Sequence, residues 1–413
     1  MDFFVNQILN LSGFTLLSVF GSTAIIGFTY YYLTSVVEEP KLHCKEGNFK
    51  SFLYQHVTLT KTKIWPLVLG FEPRMNTMFA FFIRHLFVPS VKYDRELLNL
   101  TDGGQVALDF LEPNENSKNG DVTILVLPGF GHSSRTGYAR AASLALQKSG
   151  FRVVVFNYRG IGGVKLKTPK SYSGSNIEDL IEVIIRVKLK YPKTVLGGLG
   201  ISMGGTLLGN YMCSNYQHTQ NHLSAAMLVS VAWNAKSTVS SSSKNIMNRM
   251  IDWFFTRCII KYIKKNSKVL NGPNQKWNYN EVIKSKNGDE LMRNYIIKMF
   301  DHDTVEAFYD SVSLHDKIDH FNIPCLCLSA ADDPLSLKPE LHTYIVIYSR
   351  TYVPVELAST TENVAILLTT KGGHIGFFDN FSLFSENNEF MIRLIMQYFE
   401  AIFKNDNYKK FTN

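Results

Sequence analysis

Short apolar runs alternating with longer amphipathic stretches set the rhythm of this chain from about residue 105 onward. Residues 105–111 alternate like a strand after the Asp102-Gly103-Gly104 turn. Residues 122–127, 151–157, 195–199, 225–232, 323–329 and 364–369 are nearly continuous apolar runs, the pattern of strands buried on both faces. Between them, 138–148 and 177–189 read as helices, and 390–403 closes the chain as a helix with a wide apolar face. This alternation predicts an α/β fold, a mainly parallel central sheet with helices on both faces. The strand pattern stops between Asn234 and about Phe321, where serine-rich 237–244 precedes helical segments. Residues 235–321 are therefore expected to form a helical cap inserted between two parts of the core, 102–234 and 322–413.

Ahead of the core, residues 12–33 carry no charge and are rich in Phe, Leu, Val and Ile. As a helix rising about 1.5 Å per residue they reach roughly 33 Å, enough for the hydrocarbon core of a bilayer. Tyr30, Tyr31 and Tyr32 stand where an interfacial aromatic belt would lie. A membrane anchor within residues 1–40 is expected. A cleaved signal peptide is the alternative, though a basic leading region is missing; a buried helix is another. Lys41, Lys45 and Lys50 put the following side in the cytosol by the positive-inside rule. Asn99-Leu-Thr101 and Asn380-Phe-Ser382 match glycosylation acceptors, which leaves orientation open. Residues 41–101 form an extension expected to pack on the core. Its strongly apolar stretch 78–88 is read as core packing, with rest at a bilayer surface as the alternative.

The 413 residues are 45% hydrophobic and 19% charged, which allows one large core. The net charge of +8 is spread widely, which argues against a nucleic-acid partner and suits an anionic bilayer surface. The five cysteines, at 44, 213, 258, 325 and 327, lack metal-ligand spacing, and Cys325 and Cys327 read as small buried hydrophobes. Oligomeric state is left open.

The chemistry centres on Gly200-Ile201-Ser202-Met203-Gly204, at the end of one apolar run and the start of a helix-compatible segment. A nucleophile elbow needs that strand-turn-helix context. Side chains at Gly200 and Gly204 would crowd the turn. A dinucleotide fingerprint is the competing reading, but no acidic residue follows between Ser202 and Lys236 to hold a ribose. Asp333 in Ala330-Ala-Asp-Asp-Pro334 and His374 in Gly372-Gly-His-Ile-Gly376 each follow a later predicted strand. The order Ser202, Asp333, His374 is that of α/β-hydrolases. Imidazole takes the serine proton, and a buried carboxylate fixes the imidazole tautomer. Pro128-Gly-Phe130-Gly-His132 follows the 122–127 strand, so the backbone N–H groups of Phe130 and Met203 are the candidate oxyanion donors.

These motifs, with Leu-Pro-Gly-Phe-Gly-His-Ser-Ser at 127–134, Phe-Asn-Tyr-Arg-Gly at 156–160, Asp-Gly-Gly-Gln at 102–105 and Ala-Trp-Asn at 232–234, resemble the α/β-hydrolase domain-containing (ABHD) proteins. The match is closest to the branch of members one and three. The resemblance implies a single-pass membrane hydrolase of the endoplasmic reticulum or another endomembrane, acting on lipid esters such as phosphatidylcholine. No metal or other cofactor is expected. It carries nucleophile, acid and histidine onto Ser202, Asp333 and His374. His374-Ile-Gly-Phe-Phe-Asp379 also matches an H-x4-D acyltransferase pattern, so ester formation is the first alternative, and a non-catalytic binding protein the second. The helix-compatible segment 246–265, with Met250, Ile251, Trp253, Phe254, Ile259 and Ile260 opposite a mostly basic stripe, is expected to face lipid, with a cap helix packed on the core as the alternative.

Overall fold

Val, Ile and Leu alternate between two packed layers along each central strand. Ile124 and Val126 face one hydrophobic cluster, while Leu125 and Leu127 face the other. The computed structural model describes residues 13–66, 73–114, 121–220, 222–236, 246–334, 353–378 and 389–411. Its strands are β1 (Lys41–His43), β2 (Asp94–Asn99), β3 (Gln105–Leu111), β4 (Val122–Leu127), β5 (Arg152–Asn157), β6 (Val195–Ile201), β7 (Ala225–Val229), β8 (Cys325–Ala330) and β9 (Val364–Thr369). They form one sheet in the order β1-β9-β8-β7-β6-β4-β5-β3-β2. The strands from β5 across to β9 are parallel. β3 runs antiparallel to both of its neighbours, and β1 runs antiparallel to β9. The sheet is thus mixed, with a parallel centre and antiparallel margins.

The main helices are α1 (Gly13–Tyr31), α2 (Asn48–His56), α3 (Pro73–Phe87), α4 (Gly137–Lys148), α5 (Glu178–Lys190), α6 (Met203–Met212), α7 (Ile246–Lys265) and α8 (Phe390–Phe403). Residues of α4 and α8 cover one sheet face, and residues of α5 and α6 cover the other. This is the α/β-hydrolase arrangement, with short loops from the parallel centre meeting above the carboxyl ends of β4, β6, β8 and β9.

The expected membrane span over 12–33 is corrected here: among the described residues, no helix is long and apolar enough to cross a membrane. Ser12 lies outside the described residues. α1 is 19 residues long and carries no charged residue. At Tyr32 the winding widens into a π-turn through Val36, and Tyr32, Val36 and Val37 are buried. The Tyr32 hydroxyl donates to the Pro66 carbonyl at 2.6 Å, so that tyrosine joins the protein body instead of an interfacial belt. Farther back, Leu17, Phe20, Ile25 and Ile26 of α1 are exposed.

The 78–88 stretch also departs from the expectation of core packing. It belongs to α3, whose buried residues are Asn76, Ala80 and Arg84, while Met78, Phe81, Phe82, Leu86 and Phe87 are exposed. In the inserted region, Ile260, Ile263, Leu270, Trp277, Leu291 and Tyr295 form a small core of their own. α7 is divided: its later half packs through Ile260 and Ile263, while Met250, Trp253, Phe254 and Phe255 are exposed. Arg257 lies 5.7 Å from the Trp253 ring, so basic and aromatic residues share a face instead of separating. The side chain of Ile251 and the linker 237–244 lie outside the described residues.

Candidate active site

β6 ends in Gly200 and Ile201, and α6 begins at Met203, leaving Ser202 at a turn with φ of 56° and ψ of −124°. That left-handed backbone is strained for any residue with a side chain. The glycines explain how the turn closes. A Cβ at Gly200 would lie 2.5 Å from the Gly205 Cα, and one at Gly204 only 2.0 Å from the Leu127 carbonyl oxygen. Ser202 N–H donates to the Val229 carbonyl at 2.8 Å, which ties the turn to β7.

Two loops bring partners to this serine. Ser202 Oγ lies 2.8 Å from His374 Nε2, and His374 Nδ1 lies 2.9 Å from Asp333 Oδ2. The Asp333 side chain is 2% exposed and that of His374 13% exposed, so the hydrogen-bond chain runs from a buried carboxylate to a reachable hydroxyl. The neighbouring Asp332 does something else: its Oδ1 accepts the Gly373 N–H at 2.8 Å. Burial pushes the Asp332 carboxyl up to about 6. Of the adjacent aspartates, one meets the imidazole and the other the backbone of the loop that carries it.

The His374 loop closes on itself, with the Gly376 and Phe377 N–H groups donating to the Gly372 carbonyl, and is held in place by side chains from elsewhere. His374 N–H donates to Thr77 Oγ1 of α3 at 2.9 Å, and Ile375 N–H donates to Ser230 Oγ, after β7, at 3.0 Å. Arg84 of α3 donates to the Gly376 carbonyl at 2.9 Å and pairs with buried Glu389. These contacts matter because Ile375 and Phe377 have φ of 64° and 46°, conformations that bulky side chains resist.

The loop after β4 is held in a comparable way by tyrosines. Gly129 N–H donates to the Tyr138 hydroxyl at 2.8 Å, and Gly131 N–H donates to the Tyr172 hydroxyl at 3.0 Å. The Tyr158 hydroxyl donates to the Pro128 carbonyl at 2.7 Å. Because the Tyr138 oxygen already accepts from Gly129, its proton is free for His132 Nδ1, 3.0 Å away. Burial lowers His132 to about 4, so its ring is neutral at pH 7 and Nδ1 accepts. The Phe130 N–H sits between the two tethered glycines, and that of Met203 is at the first turn of α6, where a helix leaves amides unpaired. Just beyond, Ser134 N–H donates to Asn157 Oδ1 at 3.0 Å, and Asn157 Nδ2 donates to Asp109 at 3.0 Å. Arg95 grips the same Asp109. The conspicuous sequence stretches at 127–134 and 156–160 are thus partners in one scaffold.

All five sequence-predicted site residues lie around this junction. Sequence reasoning missed Thr77, Arg84, Tyr138, Tyr172, Ser230 and the backbone role of Asp332. Arg84 within an apolar stretch was the one available signal. Asp379 and the 380–382 acceptor lie outside the described residues. Among the described residues, no group of His, Cys, Asp and Glu could hold a metal ion. The free cysteines Cys325 and Cys327 are both buried.

Comparison with known proteins follows the same lines. A family model described as Hydrolase_4, serine aminopeptidase S33, matches residues 118–344. The Bos taurus protein named Phospholipase ABHD3 is 32% identical over 391 residues, covering 92% of this chain and 90% of that protein. Monoacylglycerol lipase ABHD2 of Danio rerio is 26% identical, covering 90% of this chain and 85% of that protein. A solved esterase from Pyrobaculum calidifontis superposes with a TM-score of 0.48 at 14% identity, covering 81% of this chain and 92% of that one. With the 32% identity to Phospholipase ABHD3 spanning nearly the whole length, the chain belongs to the α/β-hydrolase domain-containing family, in the branch of members one and three, and is an ester hydrolase.

Proposed function

We propose that the protein hydrolyses an acyl ester of a membrane lipid, most directly a phospholipid, with Ser202 as nucleophile. The observation that carries this reading is the unbroken hydrogen-bond chain Ser202–His374–Asp333 at the mouth of a strained turn. His374 Nε2 takes the hydroxyl proton as Ser202 Oγ attacks the ester carbonyl. Asp333 keeps the proton of His374 on Nδ1 and stabilises the imidazolium that forms. The N–H groups of Phe130 and Met203 donate to the developing oxyanion, fixed in advance by the tyrosine tethers and the helix start. The imidazolium then protonates the departing lysolipid oxygen. Water, deprotonated by the same imidazole, attacks the acyl-enzyme and releases the fatty acid.

Choice of a phospholipid follows from the relative at 32% identity, whose name says phospholipase; the monoacylglycerol lipase is more distant. Association with an endomembrane is part of the proposal, supported by the exposed apolar side chains of α1. The H-x4-D pattern supports a second reading, transfer of the acyl group to an alcohol instead of water.

Ser202→Ala tests the reading. Turnover of a lipid extract, followed by mass spectrometry, should fall roughly ten-thousand-fold or more, with the melting temperature unchanged. Lysophospholipid and free fatty acid are the expected wild-type products. Transfer to an added alcohol would replace hydrolysis by the second reading. Undiminished turnover, or undiminished labelling by a fluorophosphonate, would remove Ser202 from the mechanism.

A further inference from the structure

α3 carries its polarity inside out. Asn76, Ala80 and Arg84 recur at four-residue spacing and are buried, whereas Met78, Phe82 and Leu86 recur at the same spacing and are exposed. A helix that merely covers a core does the reverse. The inward stripe rests directly on the site. A Cβ at Gly373 would lie 2.4 Å from the Pro73 carbonyl oxygen, and one at Gly137 would lie 2.6 Å from Arg84 Cβ. Thr77 and Arg84 hold the His374 loop, and the Phe81 ring stacks near His132 of the loop after β4, centroids 6.1 Å apart. One helix therefore separates the exterior from two of the three loops that make the site.

The composition of the outer surface says what it fits. Large apolar side chains held in water at 47–71% exposure are costly unless something covers them. From Pro73 to Tyr93 the chain has Arg74, Arg84, His85 and Lys92 but no Asp or Glu. With Arg84 turned inward, Arg74 and Lys92 are the charged residues this stretch leaves beside the apolar stripe, both complementary to anionic head groups, with Glu72 and Asp94 flanking the stretch in the chain. Exposed Trp65 lies 6.5 Å from the Tyr32 ring at the foot of α1.

We propose that the outer stripe of α3 is the docking face by which the protein rests on a lipid surface, beside the His374 loop and the loop after β4. This rests on the lipid-ester reading above. The test uses the full chain and a Met78→Gln, Phe82→Gln, Leu86→Gln variant, none of which touches the reacting groups. Two substrates are compared: a short soluble ester, and a long-chain fluorogenic ester carried in vesicles of phosphatidylcholine and phosphatidylglycerol. The soluble rate should stay within about twofold while the vesicle rate falls about tenfold or more, because only docking loses apolar area. Equal retention of both rates, or equal loss of both, overturns the proposal. A second protein, Phe82→Cys in a Cys258→Ser background, carries an environment-sensitive fluorophore. Its emission should shift to the blue when the same vesicles are added, and unchanged emission overturns the proposal. A shift that appears without vesicles and grows with protein concentration assigns the stripe to a second copy, and also overturns it. Were the wild type to cleave only the soluble ester, the lipid-ester reading would fail while the fluorescence still judged docking.

Discussion

The serine turn and the histidine loop are both strained, yet they are held in opposite ways. Ser202 sits between β6 and α6, and the residues that permit its turn, Gly200 and Gly204, are within two positions of it. The His374 loop depends on Thr77 and Arg84 of α3, Ser230 and Asp332, groups from three places in the chain that lie between 42 and 297 positions away. The serine turn is specified by its own glycines, because a side chain at Gly200 would meet Gly205 and one at Gly204 the Leu127 carbonyl at the end of β4. An assembled loop is specified only once the fold has gathered its clamps. The nucleophile is thus robust to change elsewhere, and the base is exposed to it.

The contrast can be pressed hardest at the acid. Asp333→Asn should lower kcat by about ten-thousand-fold, because an amide cannot fix the correct imidazole tautomer. Asp332→Asn, measured with the same ester, should cost far less; the reverse ranking would exchange the two roles. Next comes the serine turn. Gly204→Ala drives a Cβ to 2.0 Å from the Leu127 carbonyl, where no flexible side chain can give way. A loss of more than about 4 kcal/mol in urea denaturation is expected.

A pH experiment sharpens the histidine side. The Asp332 carboxyl is raised by burial from 3.8 to about 6, so the folded state binds a proton that the unfolded chain has released. Its contribution to stability is complete below about pH 4 and lost as pH rises through about 6, at most about 3 kcal/mol in all. Wild type should therefore gain melting temperature relative to Asp332→Asn on moving from pH 7.5 to pH 5. A constant gap across that range would contradict the assignment. The smallest effect belongs to Thr77→Val, which leaves the His374 N–H without its acceptor. A penalty of about 1 kcal/mol should appear as a several-fold loss of kcat at unchanged KM, with Thr77→Ser restoring the rate. Equal losses in Val and Ser variants would mean that α3 acts on the site by bulk packing alone.

Two amphipathic helices show where sequence reading stops. α8 buries its apolar side, including Phe390, Leu394, Ile395, Tyr398 and Ile402, as its periodicity predicts. α3 buries a polar stripe instead, because Arg84 finds Glu389 and the Gly376 carbonyl, and Asn76 sits against Gly376. Periodicity identifies two faces of a helix but not which of them meets the protein when a polar partner waits inside.

The sequence by itself determined the parallel centre of the sheet, since strands buried on both faces must be written as apolar runs, and β4 and β9 match those runs residue for residue. It also determined the serine turn, through glycines that no other residue could replace, and the chain order of Ser202, Asp333 and His374. Only the tertiary structure decided the antiparallel direction of β3 and the marginal strands β1 and β2, whose short or half-polar patterns carry no information about pairing. It alone decided that Asp332 holds the backbone of the histidine loop, that three tyrosines anchor the loop after β4, and that α3 turns its apolar side outward. Hydrogen bonds across long sequence separations leave no period in the chain, and the choice among possible partners is made by the geometry of the assembled fold.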